Sequence, residues 1–546
     1  MRAFKLLLLF CGTSATLHAQ LPAIYLHGVV NSASVLAPGL PAGSIAQGSI
    51  FSIFGSNLGP ASGVQVSSFP LGNTLAGVSI TAMQGTTTVN VLPVYVQQGQ
   101  INALMPSNTP LGLVSLRVTY NGLKSNPSPV NVIHDSPGLY TFTGSGGGAA
   151  AMQNVANDGS LTLNSNQNSA TPGQTVQMYL TGLGPITTPD NQAPPPNAPT
   201  TGVEVWVGGV SASITYGARS PCCSGLDQID FVVPANAPQG CWVPVQVRTS
   251  KANVSNGVSM AIAANGGACS DPDNLFTSAI VNGGAIGTLS LARTTVHQDV
   301  GVTNTIDVTG DALYYSALKQ PGGPFISPPL LASPPPGTCT VYAGVGDYWS
   351  TEQIVDSTAF TTLDPGTRFS VTGPASTNVS LSSGSAALGS QLPLYSFHNT
   401  LFLNPGNYTV SGAGGADVGA LHVSITVPDP LSWTNRNQIT TVNRSQALTL
   451  NWSGGATGQT ITIVGENSDL RTNSSALFYC VAPAGATSFT IPPQILEAIP
   501  ATRPNPLDST SIIFLISTSS APFQASGLAA GVASAVYKTG KTVVFQ

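Results

Sequence analysis

Charge is what this chain of 546 residues most lacks: Asp, Glu, Lys and Arg together make up only 7% of it. A typical soluble domain carries about 25%. With 16 basic and 21 acidic residues and a net charge of −5, it has no basic stripe to attract phosphates, so nucleic acid has no electrostatic purchase. Long apolar runs are missing as well. Beyond the first residues nothing reaches the ~18–20 apolar positions of a membrane helix, and no polybasic or amphipathic membrane segment appears. The six histidines, His18 among them, are scattered, and none has a metal-like neighbour at i+2 or i+4. There is no Gly-x-Ser-x-Gly elbow, so a Ser–His–Asp hydrolase lacks its usual local sign. No cofactor is expected.

What is present is apolar and turn-rich: 42% hydrophobic residues, 59 Gly and 43 Pro. The polar surface must then be built from Ser, Thr, Asn, Gln and Gly, a coat that suits exported all-β proteins better than helical enzymes. The length suggests about three to five domains. The opening "MRAFKLLLLFCGTSATLHAQ" carries Arg2 and Lys5, an apolar run from Leu6 to Gly12 and small residues up to Ala19. This is the grammar of a secretory signal peptide over residues 1–19, cut near Ala19. Bulky Phe10 before Cys11 favours release over lipid anchoring, so the expected location is secreted or at the cell surface.

Six cysteines follow the leader: Cys222, Cys223, Cys241, Cys269, Cys339 and Cys480. An even number in an exported chain points to disulfides, and the adjacent Cys222-Cys223 pair is not zinc-ligand spacing.

The chain repeats itself. "QGSIFSIFGSNLGP" overlays "PGQTVQMYLTGLGP", with Gly48 on Gly173 and Pro60 on Pro185. Further on, "GQINALMP" falls on "LDQIDFVVP", placing Ile101 over Ile229 and Pro106 over Pro234, and Gly112 falls on Gly240. Each copy spans roughly 100–130 residues, the size of a whole domain. Val114, Leu116, Val118 and Tyr120 alternate in the first copy, and Val243, Val245 and Val247 in the second, with Gly, Pro and Asn turns between such runs. That is the pattern of an antiparallel sandwich.

"GSIFSIFGSNLG" resembles the IPT/TIG class of immunoglobulin-like domains, in which a strand ends in a Gly-x-Asn-Leu-type turn. With "VVNSAS", "GQINALMP", "TPGQTVQMYLTGLGP" and "CCSGLDQIDFVVPANAPQGC", the pair from about Tyr25 to Ala264 is similar to a Solibacter-type family of secreted acidobacterial proteins of unknown function. The resemblance implies tandem immunoglobulin-like modules and brings no catalytic residues.

Beyond Cys269 the text stays β-like, interrupted by "QPGGPFISPPLLASPPPG", which is too proline-dense for a central strand. The only convincing helical piece is around Pro493 to Ala498. The expected fold is all-β, with several immunoglobulin-like antiparallel sandwiches in tandem. These are sandwiches over 20–134 and 135–268, a β-rich domain with a Pro-rich loop over 269–428, and a C-terminal sandwich over 429–546.

Candidate chemistry is thin. "GSGGGA", Gly144 to Ala149, superficially fits a dinucleotide fingerprint, but an alternating hairpin follows instead of a helix, so it reads as a turn. "GDYWSTEQIVD" gathers Asp347, Tyr348, Trp349, Glu352 and Asp356. A glycosidase needs two carboxylates across a cleft, which one local cluster cannot show, and as solvated loop residues beside a core Trp they need no function. "SDPDN", Ser270 to Asn274, has calcium-favouring oxygens but lacks the loop glycine and final glutamate of an EF-hand. Of the tryptophans at 206, 242, 349, 433 and 452, most sit in strand-like text as core residues. Trp349, with Tyr348, is the possible glycan contact.

The function expected is therefore a non-catalytic secreted interaction or adhesion module with an unknown extracellular protein or polysaccharide as partner. The alternative is a carbohydrate-binding protein or a glycan-active enzyme centred on residues 347–356. In the second repeat, "QIDFVVP" and "CWVPVQVRT" should form a hairpin to which "NGVSMAIA" returns, bringing Cys269 near Cys241. The favoured pairing is Cys241–Cys269 with a vicinal Cys222–Cys223, the loop closure contributing on the order of 3 kcal/mol. Cys339 and Cys480 are left to pair across the C-terminal domains or remain free.

Overall fold

A computed structural model describes residues 20–198, 200, 202–250, 252–300, 304–345, 360–382, 401–505 and 508–546. It is a multidomain all-β protein of immunoglobulin-like sandwiches. The overlaid repeats are two sandwiches of the same topology.

In the first, strands run in the order Ala23–Asn31, Ile50–Ser56, Gln100–Leu104, Thr87–Val96, Val78–Gln84, Gly112–Tyr120 and Ser128–Ile133. Thr87–Val96 belongs to both layers. Its first half pairs with Val78–Gln84 and its second with Gln100–Leu104, with a register shift between Pro93 and Tyr95. Proline cannot donate to the ladder, so the strand bends there and passes from one sheet to the other. Val210–Arg219 does the same in the second copy, shifting between Ile214 and Tyr216. The overlay holds at single-residue level: Ile53 faces Ile101 in one sandwich, and Met178 faces Ile229 in the other. The alternating residues fill the cores, with Val114, Leu116 and Val118 buried in the first and Val243, Val245 and Val247 in the second.

The C-terminal half is organised around one eight-stranded sheet. A long hairpin, Gly284–Val300 with Asn304–Gln320, runs beside Ala530–Thr542 in parallel register from Ile286↔Ala530 to His297↔Lys541. Ala530–Thr542 pairs in turn with Ser509–Phe523, then Thr460–Asp469, Ser474–Val481 and finally Cys339–Val345.

One end of this sheet packs on the four-stranded sheet Thr377–Ser382, Arg368–Gly373, Gly406–Gly412 and Leu421–Val427. Tyr315 and Phe369 meet edge to face across that core, with ring centroids 5.2 Å apart. The other end packs on Leu448–Ser453 and its neighbours, burying Trp433 and Trp452. The expected boundary at 428/429 therefore falls within a unit whose largest sheet takes strands from both sides of it. Among the described residues there are two short α-helices, Thr277–Val281 and Pro493–Leu496. Among the described residues, no helix is long and apolar enough to cross a membrane.

Candidate binding clefts

Polar seams hold the units together. Between the two sandwiches, the end of strand Thr175–Thr181 in the second repeat abuts the first. Thr181 Oγ1 accepts from the Ile50 amide at 2.9 Å and donates to the Gly225 carbonyl at 2.6 Å. Beneath it, Arg219 and Asp227 form a fully buried ion pair at 2.7 Å. Arg219 also donates to the Gly184 carbonyl, and Asp227 accepts from the Leu183 amide. Gly48 leaves the room this requires, since a Cβ there would lie 2.7 Å from the guanidinium.

The Pro-rich segment from Gln320 to Gly337 is a strap laid on the second sandwich. Trp242 Nε1 and Asn166 Nδ2 both donate to the Ile326 carbonyl, and Phe325 stacks on Phe142 at 3.7 Å. A run without ladder donors makes a poor strand but a good strap, because its carbonyls remain free to accept.

Where the first sandwich, the second sandwich, the strap and strand Cys339–Val345 converge, they leave a cavity of about 460 Å³. Its walls include Leu36, the turn Gly146–Gly147, Asn256, Phe325, Tyr342 and Phe360. The "GSGGGA" segment is a turn closed by a Thr141↔Ala150 bridge, not the start of a helix. Gly146 (φ +79°) is required, because a Cβ there would sit 1.8 Å from the Ser34 carbonyl. Asn256 fixes the turn. Its amide donates to the Gly146 and Leu139 carbonyls while its Oδ1 accepts from the Leu139 amide. Among the described lining residues, Tyr342 is the single titratable side chain, and burial pushes its phenol well above the ordinary range. Hydroxyls, backbone groups and aromatic faces make this a place to hold a neutral group.

Asp347, Tyr348, Trp349, Glu352 and Asp356 lie outside the described residues, although Gly344 and Phe360, on either side of that segment, line the cavity. Disulfides join Cys241 to Cys269, Cys222 to Cys223 and Cys339 to Cys480. Cys222 and Cys223 are exposed in a turn whose Gly225 seats against Ile50 and Leu104 of the first sandwich. Trp242, Trp433 and Trp452 are core residues. Trp206 is not: it is half-buried and lines a second cavity, a position its strand-like surroundings did not reveal.

In "SDPDN", Asn274 is already engaged, donating to the Leu331 carbonyl of the strap and accepting from the Phe276 amide. Among the described residues, no group of three His, Cys, Asp or Glu side chains gathers around a metal-sized space. Burial, with Asp273 nearby, pushes the Asp271 carboxyl up to about 6. Its ionised form is thus disfavoured in the fold, so its effect on stability is absent at low pH and becomes a loss as pH rises through the folded value. Between about pH 4 and about pH 7 the wild type should lose thermal stability relative to Asp271→Asn. Parallel melting curves that track each other across that window would contradict this.

No family model matches the chain, and no curated relative matches it. Among solved structures it is similar to the Bacteroides ovatus mixed-linkage glucan utilization locus protein SGBP-B in complex with a mixed-linkage heptasaccharide. That match has 10% identity, covers 83% of this chain and 87% of that one, and has a TM-score of 0.14. SGBP-B from a complex xyloglucan utilization locus in Bacteroides uniformis matches at 12% identity, over 86% of this chain and 98% of that one, with a TM-score of 0.18. Domains 4-9 of surface layer protein SbsC match at 9% identity, over 94% and 65%, with a TM-score of 0.16. With TM-scores this low the likeness carries no functional argument.

Proposed function

We propose that this is a non-catalytic, exported interaction protein that presents a rigid array of β-sandwiches, the first two being IPT/TIG-like modules, to an extracellular protein or polysaccharide. The observation that carries this reading is the cavity where the units meet. Its lining of hydroxyls, backbone groups and aromatic faces suits recognition of a neutral group. Three disulfides fit an oxidising compartment.

Gly147 supplies a clean test, because a Cβ added there meets nothing within 4 Å and its backbone is not in the left-handed region. Gly147→Trp should fill the cavity and leave the melting temperature within about 2 °C of wild type, as for a surface substitution. Retention of at least one culture-fluid protein or arrayed glycan on the immobilised protein should fall by at least about tenfold. Unchanged retention would remove the cavity from the reading. Polysaccharide turnover that disappears in Asp347→Asn or Glu352→Gln would replace it with an enzyme.

A further inference from the structure

A second cavity, of about 340 Å³, opens between the second sandwich and the C-terminal unit. Trp206 and Gln246 are cross-strand partners on Val203–Val207 and Gly240–Thr249, so their side chains stand side by side on one face. Gln246 is only 6% exposed. Its Nε2 donates to the Gln494 carbonyl at 3.0 Å, which fixes the orientation of the amide. That leaves the Gln246 Oε1 acceptor and the Trp206 Nε1 donor without partners, both buried and both on residues lining this cavity.

An unmet donor beside an unmet acceptor asks for one group that does both jobs. A hydroxyl accepts from Trp206 Nε1 and donates to Gln246 Oε1. The rest of the site narrows the choice. Trp206, Phe489, Pro244 and Pro492 offer apolar surface, and Thr338 and Thr490 add hydroxyls. No charged side chain is among the described residues lining it. A polyol with apolar C–H faces fits such a lining, whereas an anion or cation would lose its hydration without compensation.

We infer that this cleft binds a neutral saccharide, with one ring hydroxyl bridging Trp206 Nε1 and Gln246 Oε1 and an apolar ring face lying on the aromatic wall. The cavity is distinct from the one blocked by Gly147→Trp, so the two readings stand or fall separately.

Calorimetric titration of the full secreted chain with cellohexaose, xylohexaose, mannohexaose and maltohexaose tests this, with hexagalacturonate as the charged control. At least one neutral oligosaccharide should bind, and hexagalacturonate should not. Trp206→Phe keeps an apolar ring and loses only the N–H, so it should weaken binding by about three- to tenfold, the effect of one neutral hydrogen bond. Trp206→Ala should weaken it by more than about tenfold, since the ring face is lost as well. Gly147→Trp should leave the titration unchanged. Failure of all four neutral oligosaccharides to bind would overturn the inference and leave ordered water as the occupant. So would equal affinity in wild type and Trp206→Phe, whose melting curve also reports whether the variant is folded.

Discussion

Replacing Arg219 with methionine should cost the two N-terminal sandwiches about 3 to 5 kcal/mol, because it strands a buried carboxylate. Arg219 and Asp227 are both essentially inaccessible, and they lie where the second repeat meets the first. Burial pushes the Asp227 carboxyl up to about 6, while Arg219 and the amides of Leu183 and Gly182 pull it back down. Without Arg219 the folded value must rise further. The ionised carboxylate is then the costly form, so stability falls as pH increases. The deficit of Arg219→Met should be larger at about pH 8 than at about pH 5, where Asp227 can take a proton.

Arg219→Met with Asp227→Leu should recover part of the loss, since an apolar pair of similar volume avoids the unpaired charge. Thermal unfolding followed by near-ultraviolet circular dichroism reads both effects. A loss of less than about 1 kcal/mol in the single variant would mean that the pair sits in a wetter seam than its burial implies.

The double variant Cys339→Ala/Cys480→Ala should lower the unfolding transition of the C-terminal unit more than removal of either other bridge. Its cysteines are 141 residues apart, against 28 for Cys241–Cys269. By chain entropy the longer loop contributes about 5 kcal/mol and the shorter about 3 to 4. Position adds to this. Cys339 and Cys480 are direct register partners, and among the described residues Cys339–Val345 is an edge strand with a single neighbour in the sheet. The bridge therefore closes the path of the strap and pins the sheet edge together. Limited proteolysis should cut the double variant near the strap while the N-terminal sandwiches survive. Equal protease resistance in wild type and variant would count against this role.

Several features could be read directly from residues. The overlay of Gly48 on Gly173 placed Ile53 and Met178 at equivalent positions, and both face the matching isoleucines, Ile101 and Ile229. Local information suffices there, because a period-two pattern between turn residues specifies a strand, and its repetition specifies a second copy of the same sheet order. "GSGGGA" was recognisable as a turn for the same reason. The short helix at Pro493–Leu496 was marked by its sequence, whereas Thr277–Val281, five residues without a side-chain cap, left no mark.

What remained hidden depends on pairings made across long stretches of chain. Nothing near Leu291 announces Ala535 as its parallel neighbour, because parallel strands share no turn and can be separated by any length of sequence. A boundary at 428/429 therefore cuts through a unit built on one continuous sheet. The cavities are of the same kind. Gly146 and Phe325 are 179 positions apart and line one wall system only because the strap crosses the second sandwich. Trp206 looked like a core residue because alternation says which side of a strand a residue faces, not what covers that side. Composition and local pattern by themselves determined a disulfide-bearing, all-β chain with a duplicated sandwich, and they are the ground for expecting export. Which faces are covered, which strands share a sheet and where unmet polar atoms gather were decided by tertiary packing, because burial is a property of what comes to lie against a residue and not of the residue itself.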